Sequence, residues 1–359
     1  MKKILALVLA LAMVATFAAC GNNDASSDAD DAATAEYKLG MGIVVSLDSS
    51  KDKTEDKDAT AQADATVATV VMDKDGKIVA ADLDCAQTKV TVKDGKIVDK
   101  DKVDVRTKKE KKDEYNMLKF SAEGTCIAEW YEQAAAFAKY CVGKTASEVA
   151  NIATADTRND GYMRPTDADL AAGCTMDVTD FIAAFKAACE DAQAKTFKAA
   201  EGFKLGLDVE TNVAGSTDAG EKNATAQLYS TFGAIVVDKD GKTVAALVDE
   251  IQPKVEVDNA GKIVAKNYVN TKRNLKEDYN MVKYSPEGTC IAEWYVQAAD
   301  LTDYIAEKAM TADQIKAIAT ADTRKDGYMR PTDADLAAVC TMQISGYQAV
   351  LANAVAVAK

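Results

Sequence analysis

The 359-residue sequence contains one pattern twice, and this internal repeat limits its fold more than any other feature. The segment GTCIAEWY starts at Gly124 and returns at Gly288, and IATADTR starts at Ile152 and returns at Ile318. The offsets are 164 and 166 residues, so the copies differ by small insertions. Self-similarity at a fixed period indicates a duplicated structural unit. We therefore predict two tandem homologous modules at residues 37–195 and 203–359, joined by a linker at residues 196–202.

Strand-like patterns open each module. In the first module, residues 66–72 and 77–83 flank a turn that ends in Asp-Gly, and Gly76 supplies the positive φ that a tight hairpin requires. Residues 89–98 repeat this hairpin pattern. Together these segments predict a small antiparallel sheet.

Helix-like patterns close each module. Apolar side chains recur at three- and four-residue spacing from Ile127, with Thr125 as a candidate N-cap. Capping boxes begin at Thr145 and Thr311, and a last helix of the first module begins near Thr179. Strands followed by helices favour an α+β fold, in which each small antiparallel sheet carries its helices on one face.

The N-terminus has the pattern of an export signal. Lys2 and Lys3 precede a short apolar run, and Phe-Ala-Ala stands directly before Cys20. This resembles the bacterial lipobox, in which the cysteine is lipidated after cleavage. We expect residues 1–20 to be the lipoprotein signal, residues 21–36 to be a flexible linker, and the protein to lie on the extracytoplasmic face of the cell membrane, held by lipid on Cys20.

Charge and composition exclude several functions. The formal net charge is −14, and loss of Lys2 and Lys3 with the signal takes it to −16, so nucleic acid is not an expected partner. The chain contains no His, which removes the usual general base and the commonest metal ligand. We expect no catalytic residues, no metal site and no enzyme activity beyond a redox role, and we expect a monomer.

The repeat suggests how the eight cysteines are used, because one pair recurs in both copies and another is lost from the second copy as a pair. With Cys20 lipidated and Cys85 unpaired, the simplest account is three disulfides, namely Cys126–Cys174, Cys141–Cys189 and Cys290–Cys340. Export to an oxidising compartment makes such bonds chemically reasonable. The alternative is that these residues are buried free thiols, which behave as small apolar side chains.

Two loop patterns carry candidate chemistry. The segment from Asp156 resembles a calcium loop, but Arg158 occupies a ligand position and Arg324 repeats this departure, so a charged turn is the better interpretation. The adjoining Tyr162 and Arg164 form an aromatic and cationic pair, which suits a planar ligand with an anionic group. By contrast, the helical spacing of Trp130 and Tyr131 is more typical of a core.

Several runs resemble a known family. They are KDEYNMLK from Lys112, EWYEQ from Glu129, GK at Gly143, DADL from Asp167 and CTM from Cys174. Together they resemble the repeat lipoproteins of Firmicutes that are similar to flavin-mononucleotide-binding domains. The resemblance implies FMN as cofactor. In that family the threonine of a D-x-x-S-G-A-T motif accepts the flavin phosphate as an ester, which a separate transferase adds.

The matching segment here is DLAAGCT, from Asp169 to Thr175. It keeps the Asp, Gly and Thr of the family motif but has Ala172 for the Ser and Cys174 for the Ala. The second copy has Val339 in place of the Gly, and valine resists a tight turn or close approach. The cofactor-binding candidates of the two modules are Asp169, Gly173, Thr175, Tyr162, Arg164, Asp335, Thr341, Tyr328 and Arg330.

Two interpretations remain open at this point. The resemblance implies a surface lipoprotein with two FMN-binding-like modules that passes electrons to redox partner proteins, with FMN esterified at Thr175. The alternative is a non-catalytic binding lipoprotein without flavin, which holds a small molecule or another surface protein. For Thr175 alone, the alternative is a structural position in a short strand before the last helix, with its hydroxyl facing solvent. The first module has the extra cysteine pair and the nearer match to the motif, so it is the better candidate for function.

Overall fold

The computed structural model describes residues 34–359. The predicted signal at residues 1–20, the lipidation residue Cys20 and the predicted linker up to residue 33 lie outside the described residues. The strands are β1 (Ala35–Ser46), β2 (Ala59–Met72), β3 (Ile78–Lys93), β4 (Lys96–Ile97), β5 (Thr154–Ala155), β6 (Arg164–Pro165), β7 (Lys195–Ala199), β8 (Lys204–Asn212), β9 (Ala224–Gln227), β10 (Tyr229–Val237), β11 (Thr243–Ile251), β12 (Lys254–Val257), β13 (Ile263–Asn267), β14 (Thr320–Ala321) and β15 (Arg330–Pro331).

Helices follow the strands in each half, and the longest open on the two EWY segments. They are α1 (Lys108–Lys111), α2 (Met117–Phe120), α3 (Trp130–Cys141), α4 (Ala146–Ala150), α5 (Ala168–Ala171), α6 (Thr179–Cys189), α7 (Lys272–Leu275), α8 (Met281–Tyr284), α9 (Trp294–Glu307), α10 (Ala312–Lys316), α11 (Ala334–Val339) and α12 (Ser345–Val357). The mixed α and β composition with antiparallel sheets confirms the predicted α+β class.

The first half holds a five-stranded antiparallel sheet in the order β4-β3-β2-β1-β7. The predicted hairpin joins β2 to β3, and Gly76 has the expected positive φ of 74°. The second half has the corresponding strands in two pieces, β11-β10-β8 and β13-β12-β9. Pro253 lies between β11 and β12, and the missing N–H of a proline interrupts a strand ladder there.

Glycines let a long helix lie directly on each sheet. A Cβ atom added to Gly40 of β1 would lie 2.1 Å from the Ala188 carbonyl oxygen of α6. At the corresponding position of β8, a Cβ atom on Gly206 would lie 1.9 Å from the Ala354 carbonyl oxygen of α12. Each sheet therefore approaches its covering helix more closely than any larger residue permits.

Residues 34–359 form one compact unit, with buried side chains on both faces of the sheets. One face of the first sheet packs on α3 and α6, and the corresponding face in the second half packs on α9 and α12. The opposite faces pack against each other, with Leu39 and Val67 in the same cluster as Leu207 and Phe232. The layers therefore run helix, sheet, sheet, helix, and the two halves share a core.

Several boundaries differ from the sequence predictions. Residues 196–199, predicted as linker, belong to β7, which pairs with β1 from Ala35 to Leu39. Residues 35 and 36, also predicted as linker, are therefore strand. The helix predicted from Ile127 begins at Trp130 with Glu129 as its N-cap, and Ile127 is 49% exposed. The capping boxes at Thr145 and Thr311 are confirmed, as is the helix start at Thr179.

Candidate functional site

Each half contains a cleft between its long strands and the N-terminus of its long helix. The loop between β5 and β6 and the loop before α6 close the first cleft, and the loops between β14 and β15 and before α12 close the second. The first cleft has a volume of about 1070 Å³ and the second about 750 Å³. Both volumes suit a small molecule or cofactor. Side chains at matching positions line both clefts, including Lys108 and Lys272, Tyr115 and Tyr279, Met117 and Met281, Trp130 and Trp294, Arg158 and Arg324, and Thr175 and Thr341.

A buried glutamine fixes the threonine of each cleft. Gln133 is 0% exposed, and its Oε1 accepts hydrogen bonds from the Thr175 backbone N at 2.8 Å and from Thr175 Oγ1 at 3.3 Å. Its Nε2 donates to the Ala128 carbonyl oxygen at 2.6 Å. Gln297 makes the same three hydrogen bonds in the second half, at 2.7, 3.2 and 2.6 Å. The threonine loop therefore has the same fixed position in both clefts.

Thr175 lies in the loop between α5 and α6, not in a strand. Its hydroxyl is also not directed to open solvent, because Oγ1 donates toward Gln133 and toward the Thr125 carbonyl oxygen at 3.3 Å. The structural alternative for Thr175, a position in a short strand with its hydroxyl facing solvent, is therefore wrong.

An arginine stands beside this threonine. Arg158 Nη2 donates to the Thr125 carbonyl oxygen at 2.6 Å, so Arg158 and the Thr175 hydroxyl share one acceptor. Arg324 donates to the Thr289 carbonyl oxygen at 2.5 Å in the second cleft. Among residues 34–359, neither arginine has a carboxylate within ion-pair distance. Their positive charge is therefore available to an anionic ligand group.

Arg164 forms an ion pair with the loop that precedes it. Its guanidinium pairs with both carboxylate oxygens of Asp160, at 2.8 and 2.6 Å, and holds the pKa of Asp160 at about 2. Arg330 pairs with Asp326 in the same way, at 2.8 and 2.7 Å. Both arginines line their clefts, but their charge is already neutralised. The anion-binding role of Arg164 and Arg330 stays a prediction, and Arg158 and Arg324 are additional candidates because they have no carboxylate partner among the described residues.

The remaining predicted site residues divide into two groups. Tyr162 and Tyr328 line their clefts as predicted and are 55% and 52% exposed. Asp169 and Asp335 are exposed on the surface of α5 and α11 and do not line a cleft. Gly173 also lies outside the first cleft.

Gly173 has a packing role. A Cβ atom there would lie 2.9 Å from the Ala136 Cβ of α3. The close approach expected of this glycine is therefore toward a helix.

The buried end of each cleft is called its floor, and the two floors differ. The floor consists of Lys272, Glu250 and Tyr229 in the second cleft and of Lys108, Cys85 and Asp64 in the first. In the second cleft, Lys272 Nζ lies 2.7 Å from Glu250 Oε2 and donates to the Tyr229 hydroxyl at 3.0 Å. Burial lowers the pKa of Lys272, but Glu250, Tyr229 and Tyr279 together more than offset this and the net pKa is raised. In the first cleft, Cys85 and Asp64 stand where Glu250 and Tyr229 do, and Lys108 has no ion pair with any carboxylate of the described residues.

All seven cysteines of the described residues are free thiols in the structure. Burial raises the pKa of Cys141 to about 12, and the neighbouring Cys189 adds to this effect. Burial likewise raises the pKa of Cys174 to about 11, with a smaller contribution from Cys126. Two of the three proposed disulfide pairs therefore consist of neighbours, and the pairing stays a prediction.

Three groups of cleft residues were missed by sequence reasoning. Lys108 and Lys272 read as members of a basic run, and Arg158 and Arg324 were considered only as obstacles to a calcium site. Gln133 and Gln297 carried a usable signal, because each is a recurrent polar residue on the apolar stripe of a helix.

Within residues 34–359, no cluster of three or more cysteine, aspartate or glutamate side chains is arranged to hold a metal ion. In the same part of the chain, no helix has the length and apolar character needed to span a bilayer. Comparisons of the chain with protein-family models, curated proteins and solved structures found no match.

Proposed function

We propose that this chain is a lipid-anchored extracytoplasmic protein that binds a planar ligand with an anionic group, and that FMN is this ligand. One observation carries the proposal. The Thr175 hydroxyl and the Arg158 guanidinium donate to the same carbonyl oxygen, that of Thr125, inside a cleft lined by aromatic side chains. Anchoring through lipid on Cys20 belongs to the same proposal.

The lining of the first cleft fits FMN at both ends. Arg158 offers a guanidinium next to the Thr175 hydroxyl, which suits a phosphate group. Tyr115 and Tyr162 offer partly exposed rings and Met117 a polarizable side chain, which suit a flat heteroaromatic ring. The volume of about 1070 Å³ leaves room for the whole cofactor.

Bound flavin would supply electron-carrying chemistry, while the protein would position it and set its surroundings. Esterification at Thr175 would join Oγ1 to phosphorus and break the pyrophosphate bond of a flavin dinucleotide donor. A nucleoside monophosphate would leave, together with the hydroxyl proton. The chain contains no His, the side chain that most often serves as general base, and attachment by a separate transferase does not require one in this chain.

The test is the intact mass of the full chain after coexpression with a flavin transferase. We expect an increment of one FMN minus one water, which persists through denaturation. Thr175→Ala should remove it, and the matched variant Thr341→Ala should retain it. Unmodified protein in all three preparations, with no flavin in the native protein, would overturn the proposal. An increment that survives in Thr175→Ala would show that another residue is the attachment site.

A second candidate function is binding of a protein or small molecule without flavin. Large apolar side chains at the mouths of both clefts favour this function. Phe120 is 79% exposed and the corresponding Tyr284 is 77% exposed. Exposed aromatic side chains at a cleft mouth are typical of interaction surfaces. A colourless protein that still binds a partner through these residues would favour this function over the first.

A further inference from the structure

The floors of the two clefts can be compared residue by residue, because strand pairing fixes their register. Cys85 of β3 pairs across from Thr66, and Glu250 of β11 pairs across from Thr231. The two positions are therefore equivalent, and each faces the cleft lysine of its own half.

The floor of the second cleft is complete without a ligand. Glu250 accepts from Lys272 at 2.7 Å through Oε2 and from Thr231 at 3.0 Å through Oε1. The side chains of Glu250 and Lys272 are only 5% and 10% exposed. A buried charge pair with its hydrogen bonds made has little to gain from a ligand and loses much if separated.

The floor of the first cleft lacks this pair. Burial raises the pKa of Cys85, so its thiol is neutral and provides no counter-charge. The Asp64 carboxylate accepts from Gln62 at 2.7 Å and from Gln87 at 2.8 Å, and it does not reach ion-pair distance of Lys108. The Lys108 ammonium stands 5.3 Å from the centre of the Tyr115 ring. Asp180 is the other carboxylate near it, and burial raises the pKa of Asp180.

We infer that the residue at positions 85 and 250 decides which cleft accepts a ligand at its floor, and that only the first cleft does. A ligand there receives hydrogen bonds from Lys108 through an acceptor such as a ring carbonyl. In the second cleft, the equivalent Lys272 already donates its hydrogen bond to Glu250. This inference rests on the proposed function and adds to it that the full chain binds one ligand, not two.

The first test is fluorescence titration of FMN and riboflavin against the full chain. We expect one equivalent of FMN per chain. Cys85→Glu with Asp64→Tyr, which copies the second floor, should weaken FMN binding about ten-fold or more, as expected for a lost hydrogen bond from a charged group. Glu250→Cys with Tyr229→Asp, which copies the first floor, should raise the stoichiometry to two. Two equivalents in the unaltered chain, or unchanged affinity in the first variant, would overturn the inference.

Riboflavin has the same ring as FMN but no phosphate. We expect the double variant Cys85→Glu with Asp64→Tyr to weaken the binding of riboflavin and of FMN by a similar factor, because Lys108 contacts the ring end of the ligand. A loss confined to FMN would place Lys108 at the phosphate and contradict the assignment of the floor.

The second test needs no ligand and separates this inference from the proposed function. Lys272→Met should lower the thermal unfolding midpoint, and Lys108→Met should lower it less. In a Cys85→Glu background, Lys108→Met should become as costly as Lys272→Met. If it does not, position 85 does not control the lysine, whatever the flavin results are. If this cycle succeeds and no flavin binds, the floor assignment stands and the proposed ligand is wrong.

Discussion

Gln133 is a fully buried polar side chain on an otherwise apolar helix face. Its amide oxygen accepts from the Thr175 backbone N, and its amide nitrogen donates to the Ala128 carbonyl oxygen. Leucine has nearly the same size but makes none of these hydrogen bonds. We predict that Gln133→Leu lowers the free energy of unfolding by about 2–3 kcal/mol, because it leaves buried backbone groups unpaired. Urea unfolding monitored by circular dichroism measures this. The control is Lys139→Gln, an exposed position on the same helix, which should change stability little.

Asp208 gives the stability of the chain a pH dependence. Burial, followed by the nearby Glu210, raises the pKa of Asp208 from 3.8 to about 7. Between these values the folded protein keeps the proton and the unfolded chain has lost it, so stability falls as pH rises through this window. We predict that Asp208→Asn is more stable than the unaltered chain by about 1–2 kcal/mol at pH 8, after allowance for solvent screening, and that the difference shrinks toward pH 4.

Urea titrations at pH 4 and pH 8 measure this difference. Glu221→Gln, on an exposed turn, serves as the control and should show no such pH dependence. An Asp208→Asn variant that is equally stable or less stable at pH 8 would contradict the burial argument.

At the residue scale, the predicted threonines lie in the clefts, as do Arg164 and Arg330, whose role in anion binding stays a prediction. Arg164 and Asp160 are four residues apart and form an ion pair through two of the guanidinium nitrogens. Arg158 instead donates to the carbonyl oxygen of Thr125, which lies 33 residues away in the sequence. A contact of that kind depends on the folded loop arrangement, and no local pattern reports it.

The elements with strong local signals were predicted well. The hairpin of β2 and β3 follows from its Asp-Gly turn, and the helices after Thr145 and Thr179 follow from caps and apolar spacing. Strand β7 was taken for a linker because its five residues become a strand only by pairing with β1, more than 150 residues earlier in the chain. Such pairing is set by tertiary structure and not by the residues of β7.

The contact between β1 and α6 yields a prediction at the element scale. Any side chain at Gly40 collides with the backbone of α6 at Ala188. We predict that Gly40→Ala lowers the free energy of unfolding by about 2–3 kcal/mol, because the helix must move away from the sheet. Gly220→Ala is the control, since no atom lies within 4 Å of a Cβ there. Equal stability of the two variants in urea would show that α6 adjusts at no cost.

At the scale of the whole molecule, the two predicted modules share a core between their sheets. Charged contacts also join the halves, since Arg273 pairs with Asp191 and donates to the Met41 carbonyl oxygen at 3.3 Å. Sequence reasoning detected the repeat but gave no information on this packing, because apolar strand faces do not specify their partner. The copies are therefore better described as two halves of one structure.

The chain contains two tryptophans, one in each half, which makes this packing testable. Trp130 and Trp294 are 3% and 2% exposed and report on separate helical layers. The variants Trp130→Phe and Trp294→Phe each keep one tryptophan, whose fluorescence reports on its own half. We predict that the urea midpoints from fluorescence coincide with those from circular dichroism in both variants. The shared core requires this. Two separate midpoints, or a circular dichroism transition in two steps, would show that the halves fold independently.

We propose that the first cleft holds a flavin, and the visible absorption spectrum of the protein tests this. The full chain would be purified from the membrane fraction of a host that carries a flavin transferase. We predict a yellow protein with flavin bands that remain with the chain in denaturant and are absent from Thr175→Ala. A colourless protein, when the transferase modifies a known substrate in the same cells, would contradict it.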